Sequence, residues 1–165
     1  MDLHLRDRVY LVAAGSRGLG YAIGRQLALA GARVVLGSRN IEDVEAAARR
    51  LCEECGSVVS GASLDMSDAQ SIQRWVAEAE ECFGRIDGVL VNAGGPPPGG
   101  FDDFDDAAWQ AAFQLTLMSA VRLVREALPA LRRSDAASIL MLTSSSVKEP
   151  IDILLLSNVM RSGVS

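Results

Sequence analysis

Gly15, Gly18 and Gly20 interrupt an apolar stretch near the start of this chain, with Ser16 and Arg17 set between the first two. Before them, Val9-Tyr10-Leu11-Val12-Ala13-Ala14 reads as a buried strand; after them, Ala22, Ile23, Leu27 and Ala30 mark a helix. Glycine at such a corner accepts backbone angles closed to other residues and lets the main chain approach a ligand. A helix starting there aims unpaired N–H groups and the positive end of its dipole forward, preferably at a phosphate. Strand, glycine turn and helix N-terminus together point to a dinucleotide site.

A second cluster says which dinucleotide. A free adenosine ribose hydroxyl is usually held by an acid after the second strand, whereas a 2′-phosphate needs positive charge. Here the second strand ends Gly37-Ser38-Arg39, with no acid at that end. Arg17, inside the glycine turn, belongs beside the same ribose. Two guanidinium groups with the Ser16 and Ser38 hydroxyls make a phosphate clamp, which predicts NADP(H). The competing reading leaves both arginines as solvated surface residues.

Other reactive residues carry less. Cys52 and Cys55 form a C-x-x-C pair, but it falls within a helical stretch, has no second pair, and the one histidine is His4. A tetrahedral zinc site wants four ligands, so no metal is expected and the pair reads as ordinary half-buried thiols. Asp102, Asp103, Asp105 and Asp106 read as a solvated loop and the acidic first turn of a helix. Trp75 and Trp109 read as packing residues. Fifteen of the sixteen basic residues are Arg, which singles out Lys148.

Strands and helices alternate around these residues. Strands are expected at 8–13, 33–37, 58–64, 88–92 and 138–143; helices at 19–30, 41–55, from an N-cap at Ser67 to Phe83, at 105–132 and at 153–164. Continuous apolar strands in strict alternation imply a Rossmann-type α/β fold, a doubly wound parallel sheet with helices on both faces. For the strands present, the order would be 3-2-1-4-5, with ligands at the carboxyl ends of strands 1 and 4. The 165 residues read as a single dinucleotide-binding domain, and the glycine- and proline-rich loop Gly94 to Gly100 as a site-lining loop.

Composition narrows the partners. A net charge of -5 argues against a nucleic-acid surface. No apolar run approaches the roughly 20 residues that span a bilayer, so no membrane partner is expected. The start, Met1 to Asp7, lacks the apolar stretch of a secretion signal, which leaves a cytoplasmic location as the expectation.

In order and spacing, these residues resemble the short-chain dehydrogenase/reductase family, particularly its β-ketoacyl-reductase-like members. Ala13 to Gly20 resembles that family's T-G-x-x-x-G-x-G turn, with Thr and the first Gly both replaced by Ala. Leu64-Asp65-Met66 resembles the segment whose Asp touches adenine. Val91-Asn92-Ala93-Gly94 resembles N-N-A-G with its first Asn lost. The resemblance thus implies that Gly15, Ser16, Arg17, Gly18, Leu19, Ser38, Arg39, Asp65, Met66, Asn92, Ala93 and Gly94 hold the cofactor. It also agrees that arginines at positions 17 and 39 favour NADP(H).

The catalytic positions diverge. The family's reductases use an Asn, a Ser and a Tyr–Lys pair spaced Y-x-x-x-K. Arg161-Ser162-Gly163-Val164 resembles the family's K-A-G-[LV], which puts Arg161 at the Lys place and Ser157 at the Tyr place. Ser144 lies thirteen residues before Ser157, the interval of the catalytic Ser, and Thr116 holds the Asn place. A serine hydroxyl is a poor substitute for a phenol, because its pKa lies far from the operating pH. Lys148 is then the nearest substitute proton relay, if burial beside Arg161 lowers its pKa; the alternative is an exposed loop lysine. Ser144 at a strand's carboxyl end would polarise a carbonyl; the alternative for the Ser144-Ser145-Ser146 triplet is turn chemistry.

The expected function is therefore hydride transfer between NADP(H) and a small carbonyl or secondary alcohol. The alternative is a catalytically impaired NADP-binding module acting as redox sensor or scaffold. Family members continue through further strands beyond the point matching Ser165, so the chain is expected to be the N-terminal portion of a longer single-domain protein. The resemblance also implies a homodimer or homotetramer, paired through the helices at 105–132 and 153–164.

Overall fold

The first strand alternates its side chains between two different apolar layers, and that alternation organises the whole molecule. In β1 (Val9–Ala13), residues 9, 11 and 13 face one core with Trp75, Val76 and Leu123, while Tyr10 and Val12 face another with Ala28, Val44 and Leu51. The computed structural model describes residues 3–165; Met1 and Asp2, the head of the stretch read as lacking a secretion signal, lie outside the described residues.

Four more parallel strands flank β1: β2 (Arg33–Ser38), β3 (Val59–Ser63), β4 (Gly88–Val91) and β5 (Ser138–Met141). Their order is β3-β2-β1-β4-β5, as expected from the alternation of elements. Helices α1 (Gly18–Leu29) and α2 (Ile41–Cys55) cover one face. The other is covered by α3 (Ala69–Phe83) and α5 (Ser119–Leu131). Two shorter helices, α4 (Asp106–Ala112) and α6 (Leu155–Ser162), pack together through Ala112, Trp109, Leu156 and Met160. This is a Rossmann-like sheet with helices on both faces. No described helix is long and apolar enough to cross a membrane.

Several boundaries differ from expectation for physical reasons. Ser67 does not cap α3; Asp68 does, its carboxylate accepting from Gln70 N at 2.9 Å. Ser67 is instead turned back onto Asp65 Oδ1, to which its N and Oγ donate at 2.8 and 2.7 Å. The helix expected at 105–132 is not uniform: a π-helical segment, Phe113–Met118, separates α4 from α5. There Ser119 Oγ donates to the carbonyls of Leu115 and Thr116, competing with the backbone ladder. The last helix starts at Leu155 rather than 153, because Ile153 O accepts from Gly99 N at 2.7 Å and ties this segment to the proline loop. Strand β5 stops at Met141, two residues short of expectation, and its four residues are all exposed at the sheet edge.

Candidate active site

The carboxyl ends of β1, β2 and β4, with the segment after β3, open onto a cleft of about 460 Å³. The β1–α1 corner builds its near wall through close packing. A Cβ on Gly15 would come within 2.9 Å of Leu36 Cδ2, and one on Gly20 within 2.2 Å of Ala14 O. Gly18 serves differently, with φ of 60° and open space where a side chain would stand. Ala14 also takes positive φ, 51°, at the place where glycine was missing from the turn. No described side chain caps the N-terminus of α1, so its first amides remain available to a ligand in front.

The residues expected to bind phosphate converge here. Ser16 Oγ donates to Ser38 Oγ at 3.1 Å, joining the glycine turn to the end of β2. Arg17 and Arg39 are exposed at the same cleft, and neither has an ion pair among the described residues. Leu19 is 66% exposed and offers the cleft an apolar wall. Asp65, half-buried, has its pKa held below the ordinary carboxylate range by the Ser67 hydroxyl and amide, with Arg39 adding attraction. Met66 is buried beside it. Asn92 Nδ2 donates to Ala13 O at 3.3 Å, locking β4 against β1, and Ala93 and Gly94 carry the wall onward.

The catalytic candidates gather more loosely. Thr116 is buried in the π-helical segment, its Oγ1 without a partner among the described residues, beside a void of about 10 Å³ shared with Asn92 and Arg161. Ser144, half-buried, spends its oxygen accepting from Ser146 N at 3.1 Å at the start of a short 3₁₀ turn, Ser145–Val147. Ser157 is buried and accepts from Arg161 Nε at 3.1 Å, so the i,i+4 spacing does place both on one helix face. Arg161 Nη1 also donates to Leu142 O at 3.1 Å, and burial pushes the guanidinium's pKa down.

Lys148 departs from expectation. It closes the 3₁₀ turn as an exposed residue, without the burial beside Arg161 that its role as proton relay required. Neither tyrosine replaces it: Tyr10 is buried in the sheet against Gly88, and the Tyr21 ring lies under Arg50. The cleft also includes Leu64, from the quoted Leu64-Asp65-Met66 segment, and Gly95, from the loop expected to line the site, together with Leu115 and Leu142, which the motifs did not single out. Gly95 adjoins a quoted motif, but nothing in the spacing of Leu115 marks it, since only the turn of the helix aims it there.

The remaining readings concern packing. Trp75 is buried against Gly37, and Asp105 caps α4 by accepting from Ala108 N at 2.9 Å. Cys52 and Cys55 are half-buried, and Cys52 Sγ donates to Val59 O.

Known proteins share this arrangement. YvrD of Bacillus subtilis, an uncharacterised oxidoreductase, is 29% identical over 157 residues, covering 94% of this chain and 58% of YvrD. L-sorbose reductase from Gluconobacter frateurii, solved with NADPH and L-sorbose, superposes with a TM-score of 0.96 at 28% identity, covering 99% of this chain and 62% of that one. An NADPH-bound short chain oxidoreductase of Pseudomonas aeruginosa, described as containing an atypical catalytic center, gives 0.91 at 28% identity, covering 96% and 63%. The chain thus spans about three-fifths of these proteins' lengths. Residues 8–154 match the short chain dehydrogenase family, and the chain belongs to it.

Proposed function

We propose that this chain forms the NADP(H) site and part of the active centre of an oxidoreductase acting on a carbonyl or secondary alcohol. The observation that carries the reading is the meeting of Arg17, Arg39, Ser16 and Ser38 at one corner of the cleft. Two unpaired guanidiniums beside two hydroxyls suit a dianionic 2′-phosphate, and the uncapped start of α1 suits the pyrophosphate. Both solved structures named above hold NADPH, which supports the same choice. When bound, the nicotinamide supplies or accepts the hydride.

The chain's own residues have separate tasks. Asp65, Met66 and Asn92 to Gly94 shape the adenosine and central walls. Ser144 orients the substrate oxygen, Arg161 steadies the nicotinamide end of the cleft, and Thr116 offers a hydroxyl beneath it. Lys148, being exposed, contributes least to this reading. Three unpaired cysteines accord with the reducing cytoplasm, where NADPH is maintained. The exposed apolar groove around Val121, Leu128 and Met141 favours pairing of two copies.

Titration with NADPH and NADH, followed by NADPH consumption with a panel of ketones, tests this. Preference for NADPH and turnover that Ser144→Ala abolishes are the expected results. A second reading is favoured by Ser157, which sits buried at the proton donor's place and already accepts from Arg161. On that reading the chain binds NADPH without hydride exchange, as a sensor or scaffold, and calorimetric binding with no turnover selects it.

A further inference from the structure

Asp65 is the one acid among the described residues lining the 460 Å³ cleft, in company with Arg17 and Arg39. A carboxylate in the wall of a cleft that takes a polyanion repels it, unless the ligand brings a hydrogen-bond donor to that wall. How Asp65 is held therefore matters to what the cleft accepts.

The main chain around Asp65 is fixed from several sides. Leu64 N donates to Ser38 O at 2.9 Å, and the Leu64 and Met66 side chains are buried. Asp65 N donates to Ser71 Oγ at 2.9 Å, and Asp65 O accepts from Asp68 N at 3.2 Å. The carboxylate itself is held by a single residue. Ser67 Oγ and N both donate to Asp65 Oδ1, at 2.7 and 2.8 Å. No described residue donates to Oδ2, and Arg39 attracts the carboxylate without forming an ion pair with it. Ser67 is exposed and leaves the capping of α3 to Asp68, so its hydroxyl has no second partner among the described residues.

With one oxygen occupied, the carboxylate has the other left to accept from a ligand. An exocyclic amine, as on adenine, brings a donor to it; an oxo group in the same place, as on hypoxanthine, brings only lone pairs. A site built around such a hydrogen bond rejects the analogue that lacks it, because a charged acceptor is left unpaired. We propose that Ser67 is a positioning residue, which aims Asp65 so that the chain distinguishes an amino-bearing purine from an oxo-bearing one in its cofactor. The proposal rests on the dinucleotide reading above, and the choice of base is separate from the choice of 2′-phosphate.

The test compares NADPH with its hypoxanthine analogue, and NADH with its own, by calorimetric titration into the full chain. The unaltered chain should prefer the adenine form by about tenfold or more. Ser67→Ala should cut that preference by about fivefold, through weaker binding of the adenine form alone, and Ser67→Thr should restore it. In Asp65→Asn the preference should vanish, and adding Ser67→Ala should change it no further. An unchanged preference in Ser67→Ala, or equal weakening of both bases, overturns the inference. So does an effect of Ser67→Ala on base preference that is as large without the Asp65 carboxylate as with it. NADPH binding with no preference between the bases overturns the inference and leaves the proposed function standing. Base preference on both cofactors with no gain from the 2′-phosphate sustains the inference and overturns the proposed NADP(H) site. Binding of neither cofactor overturns both.

Discussion

Ser16 and Ser38, twenty-two positions apart, share a hydrogen bond of 3.1 Å that fastens the glycine turn to the end of β2. The two hydroxyls are therefore held together at the cleft, which Arg17 and Arg39 also line. Arg17→Ala and Arg39→Ala should each raise the Kd for NADPH by about tenfold or more, given about 1.5–3 kcal/mol for a hydrogen bond to a charged group. NADH affinity should stay unchanged. Ser38→Asp should reverse the preference by repelling the phosphate and accepting from the ribose hydroxyls. Cofactor fluorescence titrations read all three; equal losses for both cofactors would show that the arginines do not select the phosphate.

Gly18 and Gly20 should fail in different ways when changed to alanine. At Gly20 the new carbon would press on the Ala14 backbone, 2.2 Å from its oxygen and 2.9 Å from its carbon. Backbone cannot rotate aside, so Gly20→Ala should cost about 3 kcal/mol or more. Gly18 has room but positive φ, so Gly18→Ala should cost only about 1–2 kcal/mol. Urea unfolding midpoints should rank wild type, Gly18→Ala, Gly20→Ala in falling order.

Acid should destabilise the protein through Asp87 and Asp135. Burial alone would raise the pKa of Asp87, but hydrogen bonds from Arg85, Ser134 and Val9 N bring it below the ordinary value. Arg8 holds Asp135 down to about 2. Because both folded-state values lie below the unfolded value of about 3.9, their stabilisation is complete above that pH. It is lost as pH falls through the folded-state values. Thermal midpoints should therefore drop between about pH 4 and 2. Asp87→Ala should cost about 3 kcal/mol at neutral pH by unpairing buried groups, and should flatten that acid limb.

Thr116 separates stability from chemistry. Its Oγ1 is buried without a partner among the described residues, so Thr116→Val should leave the thermal midpoint unchanged or raise it, by up to about 1 kcal/mol of stability. If the hydroxyl serves the reaction, the same variant should lower kcat with NADPH affinity intact. A stabilised variant with undiminished turnover would assign Thr116 to packing alone.

The order of the sheet, the glycine corner and the gathering of Ser16, Arg17, Ser38 and Arg39 at one corner of the cleft were legible in the amino acids, because each depends on local pattern. Apolar runs at strand length alternate with helical periodicity, and glycines stand where backbone meets backbone. What happens after Met141 was not legible in that way. The exposure of Lys148 follows from a 3₁₀ turn held by Ser144, and the clip between Gly99 and Ile153 delays α6. The isolation of Arg161 from every described carboxylate is a fact about distances between remote segments. Periodicity records which face a residue takes within its own element, whereas charge pairing and burial depend on which elements meet, and packing alone sets that.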